Sequence, residues 1–432
     1  MLPDPFVLYL SAMLLGTTAG LISGLLPGFG NLMAMLLLFP FIQHWDATAI
    51  FLCYASLTII SQYVGSITTL YTGVPGEASS MPLVTELKNL KPGEIPSAIA
   101  TTAIGSTVAG VFAIAVLLGM LPFLFKVSWI YRTDVTAIFF IVATALIVYS
   151  NSQPKTVNFL LLIGGIALGS IGWNETLAKS FMTFNVTNLY QGLPLELVLV
   201  FLFAIPQLMQ MSNVVMVDKI TNIKFVKVKI KWLLAIVHSA LGFVGGLVPG
   251  MTTVMSSQLS HAVSRRFNPS PSDRIFASET ANNAGAISQL IPMLVIGLPL
   301  IASEAMVLDL MELQGYVATP QSATDIILTT LPFLIGVVIM GLVLAWPLAS
   351  KLLSLLTVKI KVIRVIILSI LLTTIYVQSY NDSMLSFYLT VGVFLIPLTL
   401  ALRKFDTTPL IFGFLISDKL WEYSIRSISL YT

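Results

Sequence analysis

Two long apolar stretches of this chain are interrupted by glycine and proline in the same order, and few folds accommodate such interruptions. The first stretch carries Gly24-Leu25-Leu26-Pro27-Gly28 and then Gly73-Val74-Pro75; the second carries Gly246-Leu247-Val248-Pro249-Gly250 and then Gly297-Leu298-Pro299. Pro27 and Pro249 lie 222 residues apart, as do Met33 and Met255. Pro75 and Pro299 lie 224 apart, as do the pairs Ala78-Ser79 and Ala302-Ser303. Two paired breaks at nearly constant offset imply an internal duplication. Their setting is lipid. Of 432 residues 56% are hydrophobic and 9% charged, with a mean hydropathy of +0.93, whereas a soluble domain carries about 25% charged residues. The apolar runs are continuous rather than alternating, which specifies helices and not a barrel. The expected fold class is therefore an all-α polytopic membrane protein.

Composition removes several other readings. The net charge of +3 mostly records topology in a membrane chain, and no basic stripe with interleaved aromatics supports a nucleic-acid role. Cys53 is the single cysteine, so no internal disulfide forms. The start, Met1-Leu2-Pro3-Asp4-Pro5, lacks the basic region and cleavage site of a signal peptide, and the first apolar run is expected to stay in the membrane. HExxH, GxSxG and GxxxxGK[ST] are all absent, which argues against an enzyme and against an ATP-driven pump in this chain alone.

Charge placement orders the apolar runs. Lys219, Lys224, Lys227, Lys229 and Lys231 form the strongest basic cluster, and this linker, with Arg265, Arg266 and Arg274, is assigned to the cytoplasm. Between Lys231 and Arg265 lie 33 residues centred on Pro249-Gly250. Each arm is about 25 Å at 1.5 Å per residue, so the chain enters and returns as a re-entrant helical hairpin. Ile275–Ile296 and Ile301–Leu313 then form one broken crossing through Gly297-Leu298-Pro299, followed by four ordinary crossings. The first half repeats the pattern with sides exchanged: a hairpin over Pro5–Ile42, a broken crossing over Ala47–Ser80, and four crossings to the linker. Lys126 and Arg132 fall on the outer side and break the rule. Five crossings per half require the halves to be inverted. The organisation expected is 1–212 for the first repeat, 213–231 for the basic linker and 232–432 for the second repeat.

Broken helices in a membrane persist only where protein or a water-filled cavity satisfies their backbone groups. A helix that starts after Pro27-Gly28 or Pro249-Gly250 directs N–H groups and a positive dipole end at the hairpin tip, which suits an anion. Substrate binding is accordingly assigned to Pro27, Gly28, Gly30, Asn31, Ser66, Thr68, Pro249, Gly250, Thr252, Thr253, Asn282, Asn283 and Ser288. Carbonyls at the second break of each half suit a small cation, with Na⁺ the metal considered. Ion coupling is assigned to Thr72, Gly73, Pro75, Gly76, Glu77, Gly297, Pro299, Ser303 and Glu304. Glu77 and Glu304 either take up a proton, help hold Na⁺ or cap a helix start. Glu279 either pairs with Arg274 or belongs to the site, and His238 and His261 read as packing near the cytoplasmic base. Single Ser, Thr, Gly or Pro residues in membrane helices are commonly packing residues; the concentration of all four breaks is what argues for function.

At these residues the chain resembles the large membrane subunit of the tripartite tricarboxylate transporters. The resemblance runs over GLLPGFG at Gly24–Gly30, GWNETLAKSFMTF at Gly172–Phe184, GLVPGMTT at Gly246–Thr253, TANNAGAISQLIPMLVIGLP at Thr280–Pro299 and DTTPLIFGF at Asp406–Phe414. Leu300 after Pro299 and Glu77 after the first break depart from the family's usual residues. The resemblance implies a secondary transporter that imports carboxylates such as citrate through the inner membrane of a prokaryote on an ion gradient. It implies a small membrane subunit and an extracytoplasmic solute-binding protein as partners, with no cofactor beyond the coupling Na⁺ or H⁺. The remaining alternatives are a carrier of a non-carboxylate solute and a membrane-embedded enzyme or assembly subunit.

Overall fold

The computed structural model describes residues 4–26, 28–75, 78–126, 133–150, 153–174, 177–210, 230–248, 253–267, 270–354, 360–381 and 384–429. Pro27, Gly76, Glu77, Arg132, Pro249, Gly250, Thr252 and nearly all of the 213–231 linker lie outside the described residues. The first half comprises α1 (Pro5–Leu25), α2 (Asn31–Ile42), α3 (Ala47–Thr72), α4 (Met81–Leu87), α5 (Ile95–Leu124), α6 (Thr133–Ser150) and α7 (Lys155–Gly169). It ends in α8 (Leu195–Leu199) and α9 (Ile205–Gln210), joined by a π-helical turn over Val200–Ala204. The second half comprises α10 (Trp232–Leu247), α11 (Thr253–Phe267), α12 (Pro271–Ser288), α13 (Leu290–Ile296), α14 (Ala302–Leu313), α15 (Pro320–Ala345) and α16 (Ala349–Ser354). It closes with α17 (Ile360–Asn381), α18 (Leu385–Leu402) and α19 (Thr408–Ser429). Five of the described helices are long and apolar enough to cross a membrane: α1, α3, α5, α15 and α18. The chain is a multi-pass, helical membrane protein.

Helix ends follow local chemistry. Asp46 caps α3 by accepting the Ala49 N–H at 2.8 Å, which satisfies a donor left open in the first turn. Both second breaks are left-handed glycine caps: Gly73 (φ 71°) ends α3 and Gly297 (φ 65°) ends α13, a conformation glycine adopts without a Cβ clash. The sequence treats Ile275–Ile296 as one run, but the structure divides it between α12 and α13. Pro292 has no N–H for the Ser288 carbonyl, and its ring crowds that position. One departure from an all-helical chain is a short antiparallel hairpin, β1 (Gly172–Asn174) with β2 (Lys179–Phe181). Lys126, an exception to the charge rule, stands over the Phe123 ring with its Nζ 5.4 Å from the centroid.

The core is built on α3, which is buried from Ala49 to Thr72. α1 packs on α3 through glycines: a Cβ at Gly20 would meet the Leu57 carbonyl, and one at Gly24 the Ser61 carbonyl. α10 packs on α12 in the same manner, Gly242 against the Ala281 carbonyl and Gly246 against that of Gly285. Small residues allow such close backbone approach between membrane helices. The halves interlock, with α3 lying on α15 and α12 on α5.

Candidate functional site

The buried polar side chains collect where α3 and α5 of the first half meet α12 of the second. Gln62 and Ser66 are one turn apart on α3, and Asn282 and Asn283 lie one turn after Glu279 on α12, so both sets face one seam. Asn282 Nδ2 donates to Gln62 Oε1 at 2.6 Å, and Ser79 Oγ donates to the same oxygen at 3.1 Å. Ser66 Oγ donates to Glu279 Oε2 at 2.5 Å. Asn283 Nδ2 donates to Ser106 Oγ of α5 at 2.7 Å and to the Glu279 carbonyl at 3.0 Å. From α11, Ser257 Oγ donates to the Ser79 carbonyl at 2.8 Å. All of these side chains are at most 4% exposed. Buried polar groups require partners, and here most of the partners come from the opposite half.

The two asparagines differ. The Asn283 amide nitrogen is used in tying α12 to α5, whereas the Asn282 Oδ1 is buried without a partner among the described residues. Thr58 Oγ1, one turn from Gln62, shares that condition, as do Thr68 Oγ1 and Ser256 Oγ. An orphaned buried oxygen is expensive, and a ligand or ion that reached it would remove the penalty.

The other predicted residues sit around this seam or away from it. Gly28 (φ 81°) and Gly30 (φ 52°) shape the approach to α2, and Asn31 accepts from Ser23 Oγ at 2.9 Å, a bond inside its own hairpin. Thr253 opens α11 and is buried. Ser288 bonds the Gly285 carbonyl of its own helix at 3.2 Å. Thr72 bonds the Thr68 carbonyl at 2.7 Å and accepts the Val74 N–H at 3.1 Å, so it holds the first break beside Gly73 and Pro75. Across the second break from Gly297 and the buried Pro299, Ser303 Oγ lies 2.9 Å from Tyr54 OH of α3. Glu304 Oε2 accepts the Leu300 N–H at 2.7 Å.

Glu279 does not pair with Arg274. Arg274 Nη2 and His261 Nε2 both meet Glu86 of α4, each at 2.7 Å, and Asn89 adds a third hydrogen bond at 3.1 Å. Burial works to raise the Glu86 carboxyl, but the bonds from Arg274, His261 and Asn89 outweigh it and hold the group at about 2. His238 Nδ1 lies 2.6 Å from Ser260 Oγ, in packing near the same end. Gln62, Ser106, Tyr54 and Glu86 have no place in the sequence assignment. Gln62 is an amide deep in an apolar run, the same signal as the Asn pair; Ser106 carries no such mark. A cavity of about 540 Å³ between α7, α18 and α19 is lined by apolar residues such as Leu160, Leu161 and Leu402 and holds none of the assigned residues.

Residues 10–412 match the tripartite tricarboxylate transporter TctA family. The chain belongs to that family. Membership implies a role in tricarboxylate transport with an organic anion as cargo, alongside a small membrane subunit and a solute-binding protein. The chain is also similar to an uncharacterized 52.8 kDa protein in the TAR-I ttuC' 3' region of Agrobacterium vitis, 23% identical over 437 residues, covering 96% of this chain and 86% of the relative. No solved structure matches the chain. The seam between α3, α5 and α12 is a buried polar cluster within the stretch that matches this family.

Proposed function

We propose that this TctA-family chain imports a small di- or tricarboxylate by symport with Na⁺ or H⁺, through two inverted halves whose seam holds the anion. The seam of Gln62, Ser66, Glu279, Asn282 and Asn283 carries the reading, since each half supplies polar groups that the other requires. Duplication of the two halves is supported by the glycine contacts. Gly20 and Gly242 are 222 residues apart, and the carbonyls they meet, on Leu57 and Ala281, are 224 apart. Those are the offsets of the proline breaks. In this arrangement α1–α2 and α10–α11 are the two re-entrant hairpins, entering from opposite sides of a prokaryotic inner membrane.

Substrate carboxylates would meet the N-terminal N–H groups of α2 and α11 together with hydroxyl and amide donors, the favourable position for an anion at a helix start. Glu279, bonded to Ser66 on the same seam, supplies a carboxyl that a cation entering with the anion would meet. Movement of the hairpin-bearing core against the remaining helices, elevator-like, would expose the site alternately. A second reading, a carrier of a neutral or cationic solute, is favoured by Glu279 and Glu304.

Uptake separates these readings. The chain, reconstituted in liposomes with its small membrane partner and solute-binding protein, is expected to accumulate labelled citrate or a related carboxylate only under an imposed Na⁺ or H⁺ gradient. Excess di- and tricarboxylates should compete, and amines and sugars should not. No gradient-dependent accumulation of any carboxylate would sink the carrier reading.

A further inference from the structure

Glu304 is completely buried at the second break, between α13 and α14. Its Oε2 accepts the Leu300 N–H at 2.7 Å, with the Ile301 N–H as a further backbone donor. Its Oε1 is buried and has no hydrogen-bond partner among the described residues. Around the break, Leu298 and Leu300 cluster with Phe140, and Ile296, Leu420 and Tyr423 pack against them. No basic side chain lies within ion-pair distance of Glu304 among the described residues.

The charged groups nearby are otherwise engaged or lie farther along the helix. On α14 itself they are Asp309 and Glu312. On α19 they are Asp418, Lys419, Glu422, Tyr423 and Arg426, with Lys419 joined to Glu312 at 2.5 Å and Arg426 to Glu422 at 2.8 Å. On α3 the titratable groups are Cys53, Tyr54, Tyr63 and Tyr71, and Tyr54 is engaged with Ser303. α2 and α13 contribute none.

We infer that Glu304 carries the coupled proton: it is neutral while the second break is packed shut and ionises only when the break opens to water. This rests on the carrier reading above and deepens it by naming the coupled ion. A fully buried ionised carboxylate with one oxygen lacking a hydrogen-bond partner and no counter-charge among the described residues is strongly disfavoured. Binding a proton at Oε1 removes that charge, while Oε2 still accepts the Leu300 N–H. Na⁺ fits poorly, because a hard cation requires several oxygen ligands and the described groups that meet this carboxylate are N–H donors. One proton thus enters from the side to which the break opens and leaves on the other. Protonation and closure then favour one another, as linkage requires.

Glu304→Gln keeps an acceptor for the Leu300 N–H but cannot release a proton. In the reconstituted complex, citrate accumulation driven by a pH gradient should fall at least about tenfold, while exchange of internal for external citrate stays within about twofold of wild type. Infrared difference spectra between mildly acidic and alkaline pH should show a protonated-carboxyl stretch that Glu304→Gln removes and Glu304→Asp, which keeps the carboxyl, only shifts. The Asp variant and the spectra keep the test decisive should the Gln variant fold poorly. A wild type driven by a Na⁺ gradient alone, or an unchanged carboxyl band in Glu304→Gln, overturns the proton assignment and leaves the carrier intact. A wild type that accumulates nothing under either gradient overturns the carrier reading and the coupling role with it.

Discussion

Asn282→Ala is expected to lower uptake about 100-fold, equivalent to about 3 kcal/mol, with little loss of folded protein. Asn282 reaches across the seam to Gln62 Oε1, which Ser79 also serves, so the truncation removes one of that acceptor's donors. The amide oxygen of Asn282 is the group with no described protein partner, and it is lost with the side chain. Asn283→Ala should behave differently, because its nitrogen joins α12 to Ser106 on α5. About 1–2 kcal/mol of stability should be lost with that bond. Uptake assays paired with thermal unfolding of the detergent-solubilised protein distinguish the two. If both substitutions lower stability and uptake in proportion, Asn282 is a packing residue and not a ligand-facing one.

Glu86→Ala should cost about 3 kcal/mol of stability, because it removes the buried carboxylate that Arg274, His261 and Asn89 share. Asp273→Ala, which breaks a pair whose Lys231 is 59% exposed, should cost less than about 1 kcal/mol. The Glu86 carboxyl sits at about 2 against an ordinary 4.5. A depressed carboxylate stabilises the folded state fully above its ordinary value, and that contribution is lost as pH falls through the folded value. The melting temperature of wild type should therefore decline from about pH 4.5 downward, and Glu86→Gln should lack that part of the decline. Equal pH profiles in the two proteins would remove the Glu86 cluster as a stabilising tie between α4 and the second hairpin.

Much of this architecture was legible because membrane helices announce themselves by length and their interruptions by composition. Gly73 and Gly297 end helices where the glycine–proline breaks require. The hydrogen-bond partners were less accessible. Glu279 and Arg274 are close enough in sequence to suggest a pair, yet Glu86, almost two hundred residues earlier, claims the arginine. Such choices depend on how two halves dock, and no local pattern records docking. Ser106 illustrates the same limit: a serine in a run of small residues is anonymous until α5 is laid against α12. The tips of both hairpins, with Pro27, Pro249, Gly250 and Thr252, fall outside the described residues, so their assignment rests on the helix starts that follow them.

The most direct test concerns the claim that one anion site is shared by both halves. Ser66→Cys on α3 and Ser257→Cys on α11, each made in a Cys53→Ala background, place single reporters on opposite sides of the seam. Saturating citrate, or the best competitor from the uptake panel, is expected to slow modification of both cysteines by a small membrane-permeant thiol reagent. Protection confined to one half, or absent from both while the same preparation transports, would contradict a shared site.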